Sequence, residues 1–128
     1  MSYILISPLK ILQTKTKYFT LGLNQYRNTH FRTLNTIKKR YKELMAPQIL
    51  NLPVMDKVIM HYSLFPATKH LCDLDNKCSI IAKMVQDAIV ELGKLPDDNY
   101  LHVIGVTMEL GNIDKDNPRC EIKIKEVI

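Results

Sequence analysis

The feature that most constrains this chain is one continuous apolar stripe. Ile80, Ile81, Met84, Val85, Ala88, Ile89 and Leu92 recur at helical spacing, while Lys83, Asp87 and Glu91 fall on the other side. A helix built this way must lay its stripe against another apolar surface. Its start lies near Asn76, and Gly93 is placed to close it. In 128 residues, 46% of them hydrophobic, there is material for one ordinary core but hardly two, so a single domain over 1–128 is expected.

The partner surface reads as a sheet. Residues 2 to 7 and 16 to 21 have the composition of short strands, broken by Pro8 and by Gly22-Leu23-Asn24. Val58, Met60, Tyr62 and Leu64 alternate with Ile59, His61, Ser63 and Phe65, and apolar groups on both faces predict a central strand that Pro66 ends. Two more strands are expected at about Leu101 to Leu110 and Cys120 to Val127. The turn-rich GNIDKDNP between them suggests an antiparallel hairpin. Leu34, Ile37, Tyr41, Leu44 and Met45 predict a second amphipathic helix from about Thr33 to Met45, stopping before Pro47, while NQYRNTHFR before it reads as a loop. The expected fold is α+β: a small single domain with a mixed β-sheet packed against two principal helices.

Charge is unevenly distributed along the chain. Residues 1 to 45 hold Lys10, Lys15, Lys17, Arg27, Arg32, Lys38, Lys39, Arg40 and Lys42 against the single acid Glu43, and the whole chain carries a formal +5. Such a segment seeks polyanions, although a solvated helix face gives the same composition. No run approaches the roughly 18 apolar residues of a membrane span, and the opening stretch lacks the basic leader and cleavage site of a secretory signal. A soluble, cytoplasmic protein without a membrane partner is expected. Cys72, Cys78 and Cys120 form an odd set without a CxxC or CxxH pair, which points to reduced cysteines rather than a disulfide framework or zinc site. Cys72 lies beside an acidic motif, but burial as a small hydrophobe is the simpler reading.

That acidic motif is HLCDLDN, residues 70 to 76, immediately before the apolar helix. Asp73 and Asp75 are two apart, which in extended chain points both carboxylates to one side. Neighbouring anions repel, so a fold that holds them together usually supplies a cation or hydrogen-bond donors. A hard divalent ion suits such oxygens. The competing reading is a helix N-terminus, where Asp and Asn cap open amides and favour the dipole. LPDDN places Asp97 and Asp98 directly after the same helix, and Pro-Asp-Asp-Asn is equally good turn chemistry.

DLDN, then Lys83 and Asp87-Ala88-Ile89 on a helix, Gly93 and Pro96-Asp97-Asp98 together resemble the signature of the RusA family, which resolves four-way (Holliday) DNA junctions. LNQYRNTHFRTLN followed by a Lys-rich helix is similar to the Asn- and Arg-bearing segment that such proteins carry before their first helix. The resemblance implies a metal-dependent, structure-specific endodeoxyribonuclease acting on four-way or other branched DNA. Asp73, Asp75 and Asp98 then match the metal-binding carboxylates, and Lys83 the catalytic-region lysine. The Lys83 match needs about one extra helical turn after DLDN, with Lys77 as the substitute, and an exposed ion pair with Asp87 one turn on is the competing reading of Lys83. Mg²⁺, or Mn²⁺ in its place, is the implied ion, and two symmetric cuts imply a homodimer. The implied setting is cytoplasmic, that of the host cell if the chain is phage-encoded.

Arg27, Arg32, Lys38, Lys39 and Arg40 are the expected DNA contacts. Tyr26 and Phe31 have rings that stack on splayed bases, but core packing is the reading composition favours. His30, His61, His70 and His102 show no ligand spacing. The rival reading is a non-enzymatic basic nucleic-acid-binding protein whose carboxylates only cap helices and turns.

Overall fold

The computed structural model describes residues 1–70 and 73–128; Leu71 and Cys72, with the placement of that cysteine, lie outside the described residues. The elements run β1 (Ser2–Ser7), β2 (Lys10–Leu12), β3 (Tyr18–Thr20), α1 (Leu23–Arg27), α2 (Phe31–Ile49), β4 (Val58–Phe65), α3 (Leu74–Glu91), β5 (Val103–Leu110) and β6 (Arg119–Glu126). The architecture is α+β: a mixed four-stranded sheet in the order β1-β6-β4-β5, a two-stranded β2-β3 hairpin, and three helices of which two are long.

The apolar stripe of α3 is buried as its spacing requires, with Ile81, Val85 and Ile89 fully enclosed and Gly93 closing the helix at φ 80, a left-handed conformation that glycine adopts without strain. On α2 the buried line is Ile37, Tyr41, Met45 and Ile49, a straight i, i+4 series, so Leu44, read as part of the stripe, is left exposed. Both lines face β4 and β6, whose Val58, Met60, Tyr62, Leu64, Cys120, Ile122 and Ile124 are buried. Inside this core the Ser7 and Tyr41 hydroxyls share a hydrogen bond at 2.7 Å, and Gln86 donates to the Tyr62 hydroxyl at 2.9 Å. The buried thiols of Cys78 and Cys120 are free and lie against one another.

Three expectations need correction. Strands β5 and β6 are not a hairpin: β5 pairs parallel with β4, while β6 pairs antiparallel with both β4 and β1. The physical reason lies in β4, which alternates buried and half-buried residues along its whole length and needs a strand on each side, whereas β5 is largely exposed and suits an edge. The predicted stop before Pro47 fails as well, because α2 continues through it to Ile49. Pro47 and Glu43, four residues earlier, are both exposed, so water can satisfy the carbonyl that Pro47 leaves unpaired. Finally, the stretch read as a loop forms α1 and the first turn of α2, pinned by Asn76 Oδ1, which accepts from Leu23 N at 2.8 Å. A tertiary bond of this kind leaves no trace in local periodicity.

Ile81→Ala should lower the unfolding free energy by about 3 kcal/mol, because a fully enclosed side chain leaves a cavity. Leu44→Ala should change it by less than about 0.5 kcal/mol. Urea unfolding of both variants checks the assignment of the two helix faces.

Candidate functional site

The segment after β4 returns the chain to the start of α3, and there it borders an open cleft of about 830 Å³. The cleft lies beyond the carboxyl end of β4, the end of a parallel strand where α/β units commonly hold ligands. Its polar lining comes from four places: Lys10, Tyr18 and Thr20 of the β2-β3 hairpin, Asn24 and Gln25 of α1, Thr68 and His70 of the connection, and Asp73, Asn76 and Lys77 of α3.

Asp73 occupies the N-cap position of α3 in extended conformation, φ −72 and ψ 129, yet its side chain makes no capping hydrogen bond. It is exposed and lines the cleft. The capping role that its position offered is therefore not taken up. Asp75 follows inside the first turn of α3, also exposed, where the helix dipole favours its charge. Because the chain is already helical there, the extended spacing expected to put both carboxylates on one side is not kept, and Asp75 does not line the cleft. Asn76 has a structural duty through Leu23, and a Cβ on Gly22 would meet its Oδ1 at 3.3 Å, so a small residue lets α1 approach closely.

Asp98 is not with them. Its carboxylate lies within hydrogen-bonding reach of Asp87, twelve residues beyond Asp75, which is about 18 Å along the helix axis. Asp73, Asp75 and Asp98 are thus not brought together within one chain, and among the described residues no three His, Cys, Asp or Glu side chains gather as a metal-holding group. The turn carrying Asp98 is closed by its own neighbours: Asp97 Oδ1 accepts from Asp98 N at 2.7 Å, and Asn99 Nδ2 donates to Asp97 Oδ2 at 3.1 Å.

Around Asp87 and Asp98 the structure builds a second constellation that the stripe pattern did not reveal. Burial pushes the Asp87 carboxyl above its ordinary range and the adjacent Asp98 pushes it further, while Lys38 and Lys83 act in the opposite sense. Lys83, exposed, lies over the Tyr26 ring at 5.8 Å from its centroid and Lys38 at 5.9 Å. Lys83 thus stands with Tyr26 rather than at the cleft, and Lys77 is the lysine beside Asp73. The proximity of Lys83 to Asp87 was legible in their spacing of one helical turn, whereas the approach of Asp98 was not.

The expected DNA contacts divide. Arg27, Arg32 and Lys39 are exposed, and Lys38 is half-buried. Arg40, exposed, donates through Nη1 to the Leu12 carbonyl at 2.7 Å and to that of Gln13, which ties the hairpin to α2. Tyr26 is half-buried against the core, as composition favoured, whereas Phe31 is not in the core at all. No helix among the described residues is long and apolar enough to cross a membrane.

No family model and no curated protein matches this chain.

Because its folded pKa is raised, Asp87 binds a proton more tightly in the folded chain than in the unfolded one. Its contribution to stability is present below the unfolded value and is lost as pH rises through the folded value. Asp87→Asn should therefore gain stability over the parent at neutral pH and lose that advantage toward pH 4, a crossover that thermal melts across the pH range would register.

Proposed function

We propose that this protein is a metal-dependent endonuclease acting on four-way or otherwise branched DNA, with its reaction centre in the cleft at the start of α3. The observation that carries the reading is Asp73: an aspartate at a helix start, free of capping duty, exposed and opening on a cleft that also presents Lys10 and Lys77. A helix needing only a cap would turn that carboxylate onto its own amides.

Asp73 offers a hard carboxylate to an open, water-accessible space, and Asp75, exposed in the first turn of α3, is the nearest candidate for a second. That fits Mg²⁺, which keeps several waters and takes one or two carboxylates alongside substrate phosphate, with Mn²⁺ as a substitute. When bound, such an ion neutralises phosphate charge and makes water a nucleophile near neutral pH. The chain's own groups do the positioning. Lys77 and Lys10 hold the scissile phosphate by charge, and the amino end of α3 adds its dipole. Arg27, Arg32 and Lys39, exposed on α1 and α2, attract flanking phosphates by counterion release. Asp98, distant along α3, has no part in this centre, and Lys83, held near Tyr26 and Asp87, stands outside it. Paired cuts across a four-way junction call for two such centres and hence two copies of the chain.

The placement of Asp98 favours one rival, a basic nucleic-acid-binding protein without catalysis, since two carboxylates are fewer than the three of the resemblance. Cleavage of a labelled synthetic four-way junction in Mg²⁺, beside linear duplex and a flap, separates the two. Asp73→Asn and Asp75→Asn should each lower the cutting rate at least about a hundredfold while leaving junction affinity intact, and Asp98→Asn should cut at nearly the parent rate. Binding to every substrate with no nicking in Mg²⁺ or Mn²⁺ would establish the non-enzymatic protein instead.

A further inference from the structure

Phe31 is the first residue of α2 and is 62% exposed, the sole large hydrophobic so exposed between Gly22 and Glu43. Its ring is held rather than loose. His30 stacks on it with centroids 4.5 Å apart and planes 29° from parallel, and the Arg32 guanidinium stands 5.9 Å from its centroid. His30 is itself fixed, because its Nδ1 accepts from Arg32 N at 3.2 Å. No acid occurs from residue 1 to residue 42, so the chain neighbours of the ring are all cationic or neutral. The sequence neighbours of this ring are polar, which does not suit the broad apolar contact of a protein partner or a bilayer. The ligand that matches a pre-ordered π face within a basic segment is itself flat, aromatic and anionic.

We propose that Phe31, braced by His30 and flanked by Arg32, is a stacking platform for an unpaired base of DNA. This assignment rests on the nucleic-acid reading above and deepens it by naming what part of a branched substrate is gripped: the splayed nucleotide beside the branch. Asn24 and Gln25 line the cleft while the same short helix α1 ends at Arg27, four residues before the ring, so one piece of chain links cleft and platform. Base–aromatic stacking tolerates any base and has no counterpart in closed duplex, where every π face is already covered. Phe31 therefore selects for branching rather than for sequence.

The chain contains no tryptophan, so Phe31→Trp places a single indole at the platform, excited selectively at wavelengths beyond tyrosine absorption. The probes are an oligodeoxythymidylate of about 12 nucleotides, a matched abasic deoxyribose-phosphate strand, and a paired duplex. The emission should fall about twofold with the oligothymidylate and stay unchanged with the other two at saturation. Phe31→Ala should weaken binding of the single strand and the four-way junction roughly tenfold and leave duplex affinity within about twofold. Thermal melting reports whether each variant is folded, which an exposed site permits. Equal quenching by the abasic strand, unchanged affinities of Phe31→Ala, or a change of oligomeric state without base-dependent quenching would each overturn the platform. Junction cleavage by the parent chain, assayed alongside, keeps the two readings apart. Cutting without base-dependent quenching removes the platform alone, and base-dependent quenching without cutting removes the nuclease alone.

Discussion

Everything else in the molecule hangs on the burial of α3 against the sheet. Its stripe contributes Ile80, Ile81, Met84, Val85, Ala88 and Ile89 to the core, and Tyr62 on β4 reaches back to it through Gln86. Because α3 connects β4 to the parallel strand β5, its two ends are fixed at opposite ends of that strand pair. The start of the helix then faces the space beyond the end of β4, and its finish delivers the Pro96-Asp97-Asp98 turn to the other end. A rigid rod of eighteen residues separates the two acidic motifs, whatever their closeness in sequence suggests.

That separation gives the two ends different chemistry. At the amino end the open amides and dipole of α3 favour anions, and the exposed Asp73 carboxylate shares with Lys10 and Lys77 a cleft open to solvent, with Asp75 exposed two residues on. At the carboxyl end a partly buried carboxyl pair is only partly offset by Lys38 and Lys83, which both stand near the Tyr26 ring.

The basic first third of the chain is also divided by packing. Arg40 is bound to backbone carbonyls of the hairpin, Lys42 pairs with Glu91 at 2.8 Å, and Lys38 is half-buried near Asp87. Arg27, Arg32 and Lys39 remain available on the exposed side of α1 and α2. A count of lysines and arginines overstates the surface open to a polyanion, and only the fold tells structural cations from free ones.

Period and punctuation were enough to determine the two long helices, the central strand β4 with its stop at Pro66, the closure at Gly93 and the α+β class, because each follows from local burial and local backbone preference. The DLDN motif at the start of α3 was legible for the same reason, since it is contiguous. Tertiary structure decided what depends on distant partners: that β4 stands between β5 and β6, that α1 forms where Asn76 anchors Leu23, that Phe31 stays outside the core, and that Asp98 meets Asp87 rather than Asp75. Sequence spacing measures distance along the chain, and in these cases a rigid helix or an intervening strand converted that distance into a different one in space.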